Sequence, residues 1–400
     1  MSFAAEFQFL STAPLQEASL RTTADEVRQT LTRTPTTLQD FAALISPAAG
    51  DLLESLCHRS QSLTRQRFGR VIRLFAPLYL SNECINNCAY CGFSRDNAIL
   101  RVTLSIEDVV REASMLAAQG FRNLLLVAGE HPKFVSNGYL RDCVNAVRPL
   151  MPGISIEVGP METDDYRQIT HAGAEGLVVY QETYNREVYA LMHTAGPKRD
   201  FDWRLETPER GYAAGFRRLG IGALFGLADW RAEALSVAAH AQYLLKHCWK
   251  AQLTLSLPRL RPCAGEFQPL TQITDREFVQ LIAAFRLFLP DVGLVLSTRE
   301  PAALRDGLFP LGITHASAGS HTEPGGYTGA GREKIHQTVR GRIVELPQSS
   351  VLLSAAEPRA TQATGQFDIA DGRSPVEIAD LLRRLGYEPV WKDWDSALTA

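Results

Sequence analysis

No uninterrupted apolar run in this 400-residue chain reaches the ~18–20 residues that a bilayer-spanning helix needs. The opening MSFAAEFQFLSTAP lacks the basic start and long apolar region of a secretory signal, and it carries Glu6. There is no cationic excess either. Against 41 Lys+Arg stand 44 Asp+Glu, a formal charge of −3, which argues against a general nucleic-acid binder. The expectation is a cytoplasmic protein that engages neither membrane nor nucleic acid. Cysteine is sparse and odd in number, seven in all, a poor basis for a disulfide framework. Short repeats and low-complexity tracts are absent. The G-x-G-x-x-G pattern is missing after the first strand candidate, which disfavours a dinucleotide-binding reading.

The 45% apolar fraction can supply a large core. Residues 1–70 read as a helical N-terminal extension, with helices through about 20–33 and 38–66 interrupted at Pro35 and Pro47. From residue 71 short apolar runs alternate with longer amphipathic ones. Strands are expected at 72–80, 123–128, 154–158, 176–180, 221–227, 252–257, 292–297 and 312–317. Helices are expected near 106–119, 138–149, 162–173, 185–193, 203–218, 231–247, 275–288 and 301–308. In the first of these, Ser105 and Asp108 make a capping box and Gly120 sits where a C′ glycine belongs. Strict β/α alternation implies parallel strands with crossover helices. Eight such units over 71–318 fit an α/β fold of the (β/α)8 TIM-barrel type, with an open doubly wound sheet as the alternative. Residues 319–400 read as a C-terminal extension. It contains a Gly-rich loop at 319–331, a segment at 341–355 and a terminal helix near 374–386.

The sharpest motif is Cys84-Ile-Asn-Asn-Cys88-Ala-Tyr-Cys91, C-x3-C-x2-C, just past the first barrel strand on the face where barrel enzymes do their chemistry. Thiolates suit zinc or iron–sulfur clusters. Structural zinc usually takes four closed ligands. The nearest further candidates, Cys57 and His58, lie on an expected N-terminal helix. Three ligands on a [4Fe–4S] cluster would leave one iron open to a small molecule; a zinc site remains the alternative.

The stretch resembles the radical S-adenosylmethionine superfamily, whose C-x3-C-x2-C signature carries an aromatic before the last cysteine, here Tyr90. The resemblance implies that Cys84, Cys88 and Cys91 hold a [4Fe–4S] cluster. Its open iron would chelate S-adenosylmethionine, and reductive cleavage would yield methionine and a 5′-deoxyadenosyl radical. After the second strand this chain has Ala128-Gly129-Glu130 where the superfamily often has Gly-Gly-Glu. That match implies that Gly129 and Glu130 meet the methionyl amine. A glycine permits close backbone approach, and a carboxylate can receive an ammonium. Tyrosine-lyase relatives imply that Glu157 binds the cofactor ribose. Arg204 is a candidate partner for the cofactor carboxylate, with a surface helix arginine as the alternative. Arg259 and Arg261 form a cationic loop framed by prolines. Arg299 suits a bidentate pair with the carboxylate of an amino-acid substrate, and Ser317 a hydroxyl hydrogen bond to it.

Several blocks together resemble one family: PLYLSN, CxYCGFS, LLLVAGEH, YQETY, WRLETP, LPRLRPC, LSTRE, EPGGY and VWKDWDS. This is the tyrosine lyase, or 2-iminoacetate synthase, family of bacterial thiamine thiazole synthesis. The resemblance implies cleavage of the Cα–Cβ bond of L-tyrosine to 2-iminoacetate and p-cresol. It also implies delivery of the imine to thiazole synthase and reduction by a flavodoxin or ferredoxin. The hydrogenase-maturation lyase would carry a second cysteine motif near its C-terminus, and no cysteine follows Cys263 here. A tryptophan lyase and a non-catalytic zinc-binding barrel are the alternatives.

Overall fold

Eight parallel strands close into a barrel in the computed structural model, which describes residues 2–344 and 362–391. They are β1 Val71–Ser81, β2 Asn123–Ala128, β3 Gly153–Glu157, β4 Gly176–Val178, β5 Arg218–Gly222, β6 Gln252–Ser256, β7 Gly293–Leu296 and β8 His315–Ser317. Each pairs with its neighbour in chain order, and β8 returns to β1 with Arg73 opposite His315 and Phe75 opposite Ser317. Strands covered on both sides must be apolar nearly throughout, as in the Asn-Leu-Leu-Leu-Val-Ala of β2. Register then decides which polar residues share the rim. Tyr79 of β1 pairs with Val127 of β2, which pairs with Glu157 of β3.

The helix Ile106–Ala118 has the Ser105–Asp108 capping box, and Gly120 takes φ 104° just beyond it. Two helical regions and one strand differ from expectation. The N-terminal stretch is a series of short helices, including Ala13–Arg21, Ala24–Thr32, Leu38–Leu44, Pro47–Asp51 and Leu53–Phe68. The capping box at Thr37 starts a helix where one is expected, whereas that at Thr23 and the Ser46 cap before Pro47 start new helices inside the expected 20–33 and 38–66. The expected helix 203–218 is two helices, Phe201–Leu205 and Thr207–Ala214, because Pro208 lacks the N–H needed to continue the first. The expected strand 221–227 is β5 at Arg218–Gly222, and beyond it only isolated bridges continue, Ala223 with Glu182 and Phe225 with Arg259, before a turn at Gly226, φ 117°.

The C-terminal part is woven into the barrel. In the Gly-rich loop, Tyr327 donates its hydroxyl to Pro77 O at 2.7 Å, and buried Glu112 accepts the Tyr327 and Thr328 backbone N–H groups. The loop is therefore strapped to the wall. Strand His336–Val339 pairs antiparallel with Ile99–Arg101 and with Arg342–Val344. Of the expected segment 341–355, residues 345–355 lie outside the described residues, as does most of the VWKDWDS block. The terminal helix is Pro375–Arg384. A ninth strand, β9 Glu388–Val390, follows and adds to the floor end of β1, with Val71 opposite Glu388.

Candidate active site

The cysteine loop leaves the top of β1 and is held by a buried arginine. Arg101 donates to the backbone oxygens of Asn82, of Phe93 at 3.1 Å and of Ser94 at 2.8 Å, and to Thr338 Oγ1 at 2.6 Å. Asn82 in turn binds Leu100 O, Thr364 O and the Val102 N–H. Within the loop, the Cys91 N–H closes a turn onto Cys88 O at 3.2 Å, and the Cys88 N–H donates to Ser94 Oγ at 3.1 Å. Backbone N–H groups of Asn86 and Glu130 point at the Cys84 sulfur, and that of Phe93 at Cys91. Burial pushes all three thiols up, Cys91 to about 11. Metal ligation would have to displace those protons.

Cys84, Cys88 and Cys91 line one cavity together with Gly129, Glu130, Glu157 and Arg204. Gly129 is a steric requirement: a Cβ there would lie 2.2 Å from Glu83 O, so the end of β2 packs directly against the cysteine loop. Glu130 accepts from Asn86 Nδ2 at 2.7 Å, and a Cβ on Gly159 would lie 2.6 Å from the Glu130 carboxyl carbon. Glu157 is pushed up to about 7 by burial and then by Glu182, against Arg299, Arg204 and Lys198.

Arg204 is buried, donating to Tyr180 O at 2.8 Å and pairing with Glu182 at 3.4 Å. Lys198 Nζ reaches the same Glu182 oxygen at 2.7 Å. Burial alone would raise the Glu182 carboxyl, but Lys198 and Arg204 outweigh it and hold the group below its ordinary value. Glu182 sits at φ 70°, a strained backbone for a side-chain-bearing residue.

A second cavity shares Val127, Glu157 and Gln366 with the first. Its walls include Arg299, Ser317, Tyr79 and Phe367, and its deep end has Phe75, Leu125 and Val295 beside Tyr180 and Ser256. The Arg299 guanidinium lies 3.4 Å over the Phe367 ring. No described carboxylate forms an ion pair with it. Ser317 Oγ accepts the Thr298 N–H at 3.2 Å, leaving its own proton to donate.

Two expected residues stand apart. Tyr90 lines neither cavity. Its hydroxyl donates to His193 Nε2 at 2.7 Å, while His193 Nδ1 donates to Tyr189 O at 2.8 Å; burial holds His193 down to about 3, hence neutral. Arg259 of the cationic loop is paired with Glu300 and with Asp275. Asn86, Lys198 and Gln366 are absent from the sequence reading. Lys198 arrives because His193–Ala195 pairs antiparallel with Asn87–Cys88, an association of short segments that no local pattern announces. Glu182, in the YQETY block, carries a signal in its polar density.

A zinc ion would need ligands converging on one point. Among the described residues no three or more His, Cys, Asp or Glu side chains converge in that way. A cubane takes one thiolate per iron and makes no such demand. Three cysteines on one cavity wall, Cys88 buried and Cys84 and Cys91 half-buried, stand beside carboxylates and cations in a cradle that glycines keep open, and fit a [4Fe–4S] cluster and an adjoining zwitterionic cofactor.

Residues 78–235 match the family model of the radical SAM superfamily, and 256–388 that of the biotin and thiamin synthesis associated domain. The 2-iminoacetate synthase of Escherichia coli (strain K12) is 42% identical over 377 residues, 94% of this chain and 92% of that protein. The FeFe-hydrogenase maturase HydG from Carboxydothermus hydrogenoformans has a TM-score of 0.78 at 34% identity, covering 92% of this chain and 80% of that one. Methylornithine synthase (PylB) shares the fold, with a TM-score of 0.70 at 18% identity, covering 94% of this chain and 100% of that one.

Proposed function

The chain belongs to the 2-iminoacetate synthase family of radical S-adenosylmethionine enzymes, and from that premise we propose how its own residues serve the lyase reaction. The enzyme is a carbon–carbon lyase of thiamine thiazole synthesis. L-Tyrosine, S-adenosylmethionine, two electrons and one proton become 2-iminoacetate, p-cresol, 5′-deoxyadenosine and methionine. When bound, the cluster and S-adenosylmethionine supply a reductive cleavage whose deoxyadenosyl radical takes a hydrogen atom from the substrate.

Cys84, Cys88 and Cys91 would ligate three irons of the cluster. Glu130, fixed by Asn86, receives the methionyl ammonium, and Gly129 brings it against the cysteine loop. Lys198 and Arg204 share the single carboxylate of Glu182, which leaves one positive charge in excess for the methionyl carboxylate to meet. Glu157 accepts from the ribose hydroxyls. Tyr90 acts from behind: its bond to His193 braces the turn between Cys88 and Cys91.

Arg299 binds the tyrosine carboxylate and Ser317 adds a hydroxyl donor. The apolar deep end of the second cavity takes the aromatic ring. The observation that carries this assignment is the half-buried Arg299 guanidinium on the cavity wall. It is flat against Phe367 and without a carboxylate partner among the described residues, in a cavity continuous with the cysteine cavity through Glu157. Partly desolvating a cation with no paired carboxylate is costly, and an anionic ligand would offset that cost.

The imine hydrolyses in water, which favours a shielded site and direct delivery to thiazole synthase. A flavodoxin or ferredoxin is the proposed electron donor, and the cytoplasm the proposed location. The test is product analysis of the anaerobically reconstituted, reduced enzyme given S-adenosylmethionine and tyrosine. Matched p-cresol and 5′-deoxyadenosine, with glyoxylate from the hydrolysed imine, are expected. Deoxyadenosine without p-cresol would reject tyrosine and direct the same assay to tryptophan.

A further inference from the structure

Residues 362–373 cross the mouth of the barrel and press on the cysteine turn. The Gly92 N–H donates to Gln366 O at 3.0 Å, the Gln366 N–H to Thr322 O at 3.0 Å, and Thr322 Oγ1 to Phe367 O at 2.9 Å. The approach is so close that a Cβ on Gly92 would lie 2.6 Å from Gly365 O. From this crossing the Gln366 side chain reaches inward, on the shared wall of the two cavities. Its Oε1 accepts the Tyr79 hydroxyl at 2.8 Å, and its Nε2 lies 3.9 Å from Cys91 Sγ. The amide orientation follows from chemistry. A ligating thiolate has no proton to give, so the NH2 end must face sulfur and the carbonyl must face the phenol.

We propose that Gln366 is a positioning residue that donates an N–H···S hydrogen bond to the Cys91 thiolate and thereby raises the reduction potential of the cluster, with Tyr79 holding the amide in place. The inference rests on the reading of Cys91 as a cluster ligand. One-electron reduction adds negative charge that is shared by the ligand sulfurs. A donor aimed at one of them stabilises the reduced state more than the oxidised one. Both groups are part-buried, which lowers the local dielectric and strengthens the bond relative to one in water. Tyr79 also lines the substrate cavity, so the group that orients the amide is one that a bound substrate touches.

The test is potentiometric titration of the reconstituted cluster, followed by electron paramagnetic resonance, in wild type, Gln366→Met, Gln366→Glu and Tyr79→Phe. Iron and sulfide contents are matched before comparison. Methionine keeps the volume without the donor, and glutamate puts an acceptor where the donor was. Both variants are expected at more negative potentials than wild type, Glu further than Met, with a smaller negative shift for Tyr79→Phe. Unchanged potentials in Gln366→Met and Tyr79→Phe, each with a full cluster, would overturn the proposal. Where Gln366→Met does not take up the cluster, an unchanged Tyr79→Phe overturns it alone. Failure of the lyase reading would show separately, as wild-type enzyme with a full cluster that yields no p-cresol.

Discussion

Arg259 and Arg299 follow neighbouring strands of the barrel, yet their surroundings give them different work. Glu300 and Asp275 hold the Arg259 guanidinium, which makes it a brace for the rim. Arg299 has an aromatic face beneath it and a cavity in front. Arg299→Ala should raise the apparent Kd for tyrosine roughly 10- to 150-fold, as loss of a charge-assisted pair of ~1.5–3 kcal/mol requires. Slow uncoupled cleavage of S-adenosylmethionine should persist, and unchanged tyrosine affinity would make Arg299 structural. A lysine should not restore binding, because the stacked planar fork is what the site uses. Glu157 carries a pH signature. Its carboxyl, raised to about 7 by burial, is neutral below that pH and ionised above it. Only the carboxylate accepts from both ribose hydroxyls. S-Adenosylmethionine affinity measured by calorimetry should therefore rise from pH 6 to pH 8, and Glu157→Gln should flatten the profile. These roles were partly legible. Glu157 and Arg299 end apolar runs and so belong to a rim, whereas the partners that free or engage a guanidinium come from elsewhere in the chain.

Among the elements, the crossing segment 362–373 contributes most that local pattern did not announce. It is fastened to the barrel by a fully buried ion pair between Arg305, on the helix Ala302–Leu308, and Asp371, which also binds Arg373. Burial alone would raise the Asp371 carboxyl, but Arg373 and Arg305 outweigh it and keep it depressed. Its contribution to stability is thus present at neutral pH and lost as pH falls through the folded-state value. Asp371→Asn leaves Arg305 buried without a counter-ion. It should cost about 3–5 kcal/mol in denaturant unfolding. It should also raise the ratio of deoxyadenosine to p-cresol as the mouth loosens; an unchanged ratio would separate the fastening from catalysis. The Gly-rich loop at 319–331, which invites reading as a lid, is instead pinned to Glu112 and Pro77. Glycine permits tight turns as readily as motion, and only the partners distinguish the two.

At the scale of the whole molecule, alternation of apolar runs with amphipathic helices favoured a parallel eight-stranded barrel over an open sheet, which the pairing of β8 with β1 closes, and C-x3-C-x2-C placed sulfur ligands at the end of its first strand. Both are local signals: the period of a strand or helix, and the reach of one loop. The floor end of β1 is completed by β9, more than 300 residues away in sequence. The cation beside Glu182 arrives through the pairing of His193–Ala195 with Asn87–Cys88, and the amide facing Cys91 arrives through the crossing segment. The sequence by itself determined the barrel, the cluster loop and the strand-end residues Gly129, Glu130, Glu157 and Arg299, because each is declared by its own neighbours in the chain. Only the tertiary structure decided that Arg259 is a brace, that Tyr90 stands behind the site, and that Lys198 and Gln366 belong to it. Those assignments depend on which distant side chains share a buried space, and burial and charge pairing are properties of the folded molecule.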